Sequence, residues 1–426
     1  MSRRPLRIAT TGQWERSVRA AGFEAHLIPA EVSLDFHRTL AARMEHGPIV
    51  RAFLEQHDID LMLDFNTGAM TFVPSSATPG QFALASADAG VPYVAFYLDP
   101  ITSTMNQVDW ADHWHLIESP TWIKAISDTA HAEELLRLGA SNVLYTPMAG
   151  ADEPVDTSFA PAPDPGPVVA FMGHPASNWF RSSQAVLPGQ LFPGMLAAAV
   201  RADTPDMPFH RMYFDLYDRD KPAAPGEDRA TRTARSHRYF NEKFVYNAFL
   251  AVRQRDRWAH FLKGKLGDNF ELIGDHWGET WGLKHTPRIW DMKELHRRMR
   301  HVPICLNLIK GNIESSVIIR HFEITAHGGF MLTYPTPELS QFFEIGKECV
   351  VFHDEADLLD KIAYYLAHPQ ERYEIAAAGQ RRTLRDHLFS HRLTALVERL
   401  RADGVLPRLA GGPAAPALAS AGAASP

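Results

Sequence analysis

The densest set of groups able to do chemistry lies in NLIKGNIESSVIIRHFEITAHGGFMLTY, Asn307 to Tyr334. An apolar run ends there in a polar loop, Lys310-Gly311-Asn312-Ile313-Glu314, and Ser315 or Ser316 is placed to cap the helix that follows. Gly328 and Gly329 are placed to end that helix. At about 3.6 residues per turn, Ile318, Phe322 and Ala326 share one face, while Ser316, Arg320, Glu323 and His327 share another. A helix that starts at the C-terminal edge of a parallel sheet turns its free N–H groups toward an anion. The loop is therefore a candidate phosphate site, with Lys310 and Arg320 as neighbouring cations. Glu323, one or two turns in, is placed to accept hydrogen bonds from vicinal hydroxyls such as those of a ribose. The same Arg320 and Glu323 also have the i,i+3 spacing of a surface pair, worth a few tenths of a kcal/mol of helix support.

Other groups are weaker candidates. Asp99, in YLDP, stands where a parallel sheet presents ligand-facing residues, and would orient an acceptor hydroxyl or act as a base. An Asp-Pro turn is the preferred account of it. Asn66 and Thr67, after IDLMLDF, have the same standing. Gly173 and His174 follow an apolar run in VAFMGH, where the histidine would meet a phosphate; no Gly-Lys-Ser/Thr follows, so this is not a P-loop. His387 and His391 have the i,i+4 spacing of a zinc pair but lack the internal glutamate of a metalloprotease motif. One such pair is expected by chance among 21 histidines, and no metal site is expected. Arg229, Arg232, Arg235, Arg238 and Lys243 form a basic run, read as a solvated helix face.

The elements that must hold these groups alternate. Candidate strands in the first half are Leu6 to Thr11, Ile59 to Phe65, Val91 to Asp99, His113 to Ser119 and NVLYTPM. One helix ends near His57; another has Ser127 or Asp128 as its cap and Gly139 as its stop. ADEPVDTSFAPAPDPGP then reads as a linker. VVAFMG, NFELIG, VPICLNLI, GFMLTY and CVVFHD supply a second series of strands, and helical patterns follow Asp354. The expected organisation is an N-terminal Rossmann-like domain over 1–150, a linker over 151–167, and a C-terminal Rossmann-like domain over 168–405. The second domain carries a helical insertion over about 183–265, and a low-complexity tail over 406–426 is expected to be disordered. This is an α/β fold of two parallel sheets with a ligand cleft between them.

Composition excludes several classes. Hydrophobic residues make up 45% and charged residues 22%, an ordinary globular mix. With 43 basic and 50 acidic residues, the net charge of −7 argues against a nucleic-acid partner. No apolar run approaches the ~20 residues of a transmembrane segment, and no signal-peptide core is expected. Cys305 and Cys349 alone make neither a disulfide framework nor a zinc site. A cytoplasmic location is expected.

The segment RHFEITAHGGFMLTYPTPELSQFFEIGKECVVFHDEADLLDKIAYYLAHPQERYEIAAAGQRR resembles the glycosyltransferase-like C-terminal domain of the CgeB-type spore-maturation family. That family is related to retaining glycosyltransferases of the GT-B fold. Its order of a Phe-Glu helix, Ala-x-Gly-Gly, a Pro-x-x-Pro-Glu-Leu loop, a Gly-Lys-Glu turn and an Ala-rich helix is matched here. VVAFMGHP and NFELIGDHWG are also similar, and the N-terminal half is so more loosely, through DIDLMLDFN, VPYVAFYLDP and GASNVLYTPMA. The resemblance implies a GT-B glycosyltransferase with a nucleotide-sugar donor in the C-terminal half, an acceptor (glycan, protein or lipid) facing the N-terminal half, and no metal or cofactor. It implies that Glu323 binds the ribose, that Gly173 lies near the phosphates, and that Gly328 and Gly329 are the motif glycines. There is one departure. Related retaining enzymes carry a sugar-contacting glutamate eight positions before the ribose glutamate; here that position is Ser315, with Glu314 one residue off. A non-catalytic GT-B protein of envelope assembly is the competing reading, and a nucleotide-sugar epimerase a third.

Overall fold

The structure is a computed structural model that describes residues 4–33, 39–76, 81–101, 116–117, 119–158, 166–176, 195, 198, 207–216 and 229–406. Its first sheet has six parallel strands in the order β2-β1-β3-β6-β7-β8. They are β1 (Arg7–Thr10), β2 (Glu24–Leu27), β3 (Leu61–Phe65), β6 (Tyr93–Tyr97), β7 (Trp122–Ile126) and β8 (Val143–Tyr145). β4 (Phe72–Pro74) and β5 (Phe82–Leu84) form a separate antiparallel hairpin. The central strands β3, β6 and β7 are buried at every residue, as a sheet covered on both faces requires.

Local chemistry sets the helices of this half. α1 (Glu15–Ala20) follows β1, and α2 (Leu40–Gln56) is capped by Thr39 and ends at His57 as expected. α3 (Thr129–Arg137) takes Asp128 as its N-cap, which accepts the N–H of Ala130 at 2.9 Å. The chain reverses at Gly139 in the left-handed region, φ +89.

One strand was misplaced by the sequence pattern. The run from His113 to Ser119 does not form a strand at its described residues: Leu116 and Ile117 lie in a helical turn, and the strand is β7. Lys124 disguises β7 as a half-polar segment. Its buried ammonium donates to the carbonyls of Ile117, Trp122 and Ser141 at 2.5–2.9 Å, so the charge is satisfied inside the sheet layer.

The second sheet has five parallel strands in the order β10-β9-β11-β12-β13. They are β9 (Val169–Met172), β10 (Phe270–Ile273), β11 (Ile304–Asn307), β12 (Met331–Thr333) and β13 (Val350–Val351). Between β9 and β10 most of the described residues are helical. α4 (Arg229–Ala251) passes through a π-helical turn, Val252–Asp256, into α5 (Arg257–Leu266). α6 (Met292–His301) precedes β11, and α7 (Ile319–Ala326) follows it. α8 (Glu355–Ala367) and α9 (Pro369–Asp386) complete this half.

The last helix, α10 (Phe389–Ala402), does not stay with the second sheet. It packs on α1, and Phe389 joins Trp14, Phe65 and Phe96 in one aromatic cluster with ring centroids 4.2–5.9 Å apart. Ser390 N donates to Asp152 at 2.8 Å, and Gly150 bridges Leu388, which ties the crossover from the first half to the returning helix. The result is the GT-B arrangement: two Rossmann-like halves facing a cleft, with the chain end returned to the first half. The basic run divides: the side chains of Arg229, Arg232 and Arg235 and the expected disordered tail from 407 onward lie outside the described residues, as does the linker stretch 159–165. Arg238 is exposed, but Lys243 is buried, so the reading of a wholly solvated face fails there. Among the described residues no helix is long and apolar enough to cross a membrane.

Candidate functional site

Both sheets share the strand order of an open doubly wound fold, in which the neighbours of the first strand leave in opposite directions. Ligands bind at that reversal, beyond the carboxyl ends of the strands. Here the two reversals, at β1/β3 and β9/β11, open onto the same cleft of about 1150 Å³. Gly12 and Phe65 line it from the first sheet; Gly173, Gly274 and Asn307 line it from the second. Chain geometry holds the second rim tightly. Gly274 sits at φ +153, and a side chain there would meet the Gly173 carbonyl at 2.4 Å. Gly173 donates its N–H to the Ile273 carbonyl at 2.8 Å and accepts from the Trp277 indole at 2.8 Å.

Six of the expected residues, Asp99, Gly173, His174, Lys310, Arg320 and Glu323, line this cleft. Arg320 and Glu323 meet each other at 2.8 Å, so the expected i,i+3 pair forms, but it forms in the cleft wall rather than on open surface. Asp99 reaches across from the first half, accepting from Asn312 Nδ2 at 3.1 Å with Lys310 Nζ at 3.8 Å. Asn66 supports it: its Oδ1 accepts the N–H of Leu98 at 2.8 Å and of Asp99 at 3.4 Å. Asn66 and Thr67 both lie at positive φ, +45 and +63, a strained pair at the end of β3. His174 takes the N–H of Asp275 on Nδ1 at 3.0 Å, and burial holds its pKa below the ordinary value. With Nδ1 taken as the acceptor, the neutral ring carries its proton on Nε2.

Three expected residues are not in the cleft. Ser316 is buried behind it, donating its N–H to Asp128 at 3.2 Å. Nor do Ser315 or Ser316 cap the helix: α7 begins at Ile319, and the His321 ring accepts the Ile318 N–H at 3.1 Å. The first turn, Ile318 to Arg320, still lines the cleft. Gly328, at φ +76, and Gly329 terminate α7; a side chain on Gly329 would meet the Met299 carbonyl at 2.7 Å, so its role is close packing.

The displaced loop is claimed by the other half of the molecule. Asp128 Oδ2 accepts the N–H groups of Glu314 and Ser315 at 2.9 Å each. The Ser315 hydroxyl sits 2.5 Å from Asp128 Oδ1 and 2.8 Å from Glu338. Glu314 faces Lys243, the Phe209 N–H and His131, all buried, and Lys243 also pairs with Glu134 at 3.0 Å. Burial alone would raise the Asp128 pKa, but the His131 charge and the Ser315 hydroxyl outweigh it and hold the carboxylate below its usual range. Neither Glu314 nor Ser315 lines the cleft.

Arg255 is the residue that sequence reasoning missed. Nothing in VRQRDRW sets it apart from the other charges of a helical stretch. The π-helical turn rotates it inward, and such turns recur at functional sites. Its guanidinium lies over the Phe171 ring at 5.4 Å and donates to the Leu308 carbonyl at 2.9 Å and the His174 carbonyl at 3.4 Å. It thus spans the ends of β9 and β11. Burial pushes its pKa down to about 10, which leaves it charged at neutral pH. Its Nε, Asn307 Oδ1, Asn312 Oδ1 and Trp14 Nε1 are buried polar atoms of cleft residues with no hydrogen-bond partner among the described residues. Such groups call for a polar ligand or ordered water.

Two groups of histidines make other contacts. His387 bonds the Phe342 carbonyl and accepts from Arg392, while His391 accepts the Leu388 N–H. Glu153, His296 and His327 do bring their ligand atoms within 4.8 Å of one another. The two rings, however, stack 3.5 Å apart at 13°, and near-parallel stacked imidazoles cannot both hold one ion in their planes. Glu153 instead accepts from His327 at 3.0 Å.

Residues 253–398 match the family model described as glycosyl transferase-like. The match covers about a third of the chain, all of it in the C-terminal half. Arg255, Lys310, Arg320 and Glu323 all fall inside the match. Among solved structures, the chain is similar to a sucrose-phosphate synthase from Thermosynechococcus elongatus, with 10% identity, a TM-score of 0.46, and coverage of 94% of this chain and 100% of that one. It is similar to an α,α-trehalose-phosphate synthase (UDP-forming) from Burkholderia vietnamiensis, with 12% identity, TM-score 0.46, and the same coverage of 94% and 100%. It is also similar to Anabaena HepE in complex with UDP, with 9% identity, TM-score 0.43, and coverage of 94% and 100%. No curated protein matches the chain.

Proposed function

We propose that this chain is a cytoplasmic GT-B glycosyltransferase that moves a sugar from a nucleotide-sugar donor to an acceptor, with retention and without a metal. The observation that carries the reading is that one cleft is lined both by a buried cation, Arg255, and by the acid Glu323 on the helix that opens into it. In this reading Glu323 accepts the ribose hydroxyls, and Arg320, released from it, turns to the diphosphate beside Arg255 and Lys310. The His174 N–H and the first turn of α7 add neutral donors to the same anion. Catalysis is then positioning plus charge stabilisation of the leaving diphosphate, which itself takes the acceptor proton. If the reaction inverts instead, Asp99 is the base, facing the cleft from the acceptor side. The CgeB-type resemblance is the finer part of this proposal.

One observation favours a second reading, a nucleotide- or partner-binding protein without turnover. The loop that carries the sugar-contacting glutamate in related enzymes is here spent on the interdomain contact of Ser315 and Glu314 with Asp128. Radiolabelled nucleotide sugars, offered to the purified chain with glycan, protein and lipid fractions, separate the two. Label transfer that disappears in Arg255→Ala supports the enzyme. Nucleotide binding without transfer supports the second reading.

A further inference from the structure

With Glu314 and Ser315 withdrawn, the sugar of a bound donor must be recognised by something else in the cleft. We infer that Asn312 is the sugar-recognising residue, its amide oxygen accepting a hydroxyl of an uncharged donor sugar. This rests on the proposed nucleotide-sugar reading and adds to it the residue that selects the sugar.

Three observations carry the inference. Asn312 lies in the loop after β11, at the strand reversal of the second sheet, and is 6% exposed in the cleft wall. Its orientation is set by a carboxylate: Nδ2 donates to Asp99 Oδ1 at 3.1 Å, which leaves Oδ1 as the free end of the amide. That oxygen has no hydrogen-bond partner among the described residues. A buried acceptor left unmet costs free energy and is met by a hydroxyl donor at no cost in charge. The loop cannot swing away to find another partner. A side chain on Gly311 would meet the Ala251 N at 2.3 Å, so the backbone of the loop is pressed against the end of α4.

The surrounding chemistry fits a sugar attached to a phosphate. Arg255 and Lys310 bring cations to the same cleft, with Lys310 Nζ 3.8 Å from the Asp99 carboxylate that holds the Asn312 amide. A neutral amide also differs from the glutamate of related enzymes in what it tolerates. It accepts a hydroxyl as well as a carboxylate does, yet places no second negative charge beside Asp99.

The test separates the nucleotide from the sugar. UDP, GDP, dTDP and ADP, and the glucose-, galactose- and N-acetylglucosamine-linked forms of each, are titrated calorimetrically into wild type, Asn312→Ala and Asn312→Asp. In wild type one sugar-linked form is expected to bind more tightly than its own nucleotide. In Asn312→Ala that increment is expected to fall about tenfold while affinity for the nucleotide alone stays within about twofold, a difference of about 1.4 kcal/mol. Asn312→Asp, close in shape, guards against a packing artefact; placing a carboxylate opposite Asp99, it is expected to lose the increment too. The inference is overturned if the increment survives in both variants, if nucleotide and sugar-linked forms weaken equally, or if no sugar-linked form exceeds its nucleotide in wild type. If no nucleotide binds at all, the donor-site reading itself fails.

Discussion

The backbone N–H of Ser315 donates to Asp128 Oδ2 at 2.9 Å, joining a loop of the second half to the cap of a helix in the first. The same carboxylate caps α3 and takes the neighbouring N–H groups of Glu314 and Ser316. One buried side chain thus serves two tasks, starting a helix in the first half and tying a loop of the second half to it. Ser315, the position that the sequence resemblance marks for a sugar-contacting acid, is a structural joint.

Asp128→Ala removes the cap, at about 1 kcal/mol, and strands several buried N–H groups, at about 1–3 kcal/mol each when unmet. Chemical denaturation of the variant is expected to show a loss of about 3–5 kcal/mol. A loss under about 1 kcal/mol would mean that the joint is not holding the halves together.

Ser315→Glu, which restores the related enzymes' residue type, is expected to harm rather than help. The new carboxylate would be buried between Asp128 and Glu338, both already in contact with the serine hydroxyl. Unpaired buried charge of this kind costs several kcal/mol. The melting temperature should drop with no gain in nucleotide-sugar affinity; a stable variant with tighter donor binding would refute the account of this loop.

Stability should fall on acidification through two buried histidines. Burial holds His321 at about 4, and burial with the Arg392 charge holds His387 at about 4, against an ordinary value near 6.5. The unfolded chain therefore binds two protons that the folded chain refuses as pH falls from about 6.5 to about 4, and stability drops across that window. Asp64 opposes this: burial pushes it up to about 6, so its protonation in the fold adds stability as pH falls from about 6 to 4. Denaturation of His387→Gln at pH 7 and pH 4.5 should show an acid loss smaller than wild type by about 2 kcal/mol. Parallel losses would exclude His387 as a source.

Arg255→Ala should weaken binding of the preferred nucleoside diphosphate by about 10- to 100-fold, the worth of a charge-assisted hydrogen bond. Arg255→Lys keeps the charge without the planar fork and should fall between. Calorimetric titration of both reads this directly, with melting curves to check the Leu308 contact. Unchanged affinity in Arg255→Ala would remove it from the phosphate site.

The parallel sheets were legible because β3, β6, β9 and β11 are continuous apolar runs, which is how strands buried on both faces must read. β7 was not, because Lys124 is neutralised by carbonyls that only the tertiary fold supplies. Glu323 and the cleft were anticipated from the helix after β11. Arg255 was hidden because a π-helical turn shifts the facing of a residue without changing its neighbours in sequence. The burial of Ser316 and Lys243 was hidden for a related reason: they face Asp128 and Glu134 on the first half, and no local pattern records a partner more than 100 residues away.

The most direct test of the central claim is a thermal-shift screen of wild type and Glu323→Ala with UDP, GDP, dTDP, CMP and ADP. A ligand at about 100 times its dissociation constant stabilises by about 2.7 kcal/mol, which is readily seen. The account predicts that one nucleotide raises the melting temperature of wild type and fails to do so for Glu323→Ala. If none stabilises wild type at millimolar concentration, or if the variant responds like wild type, the cleft is not the nucleotide-sugar site described.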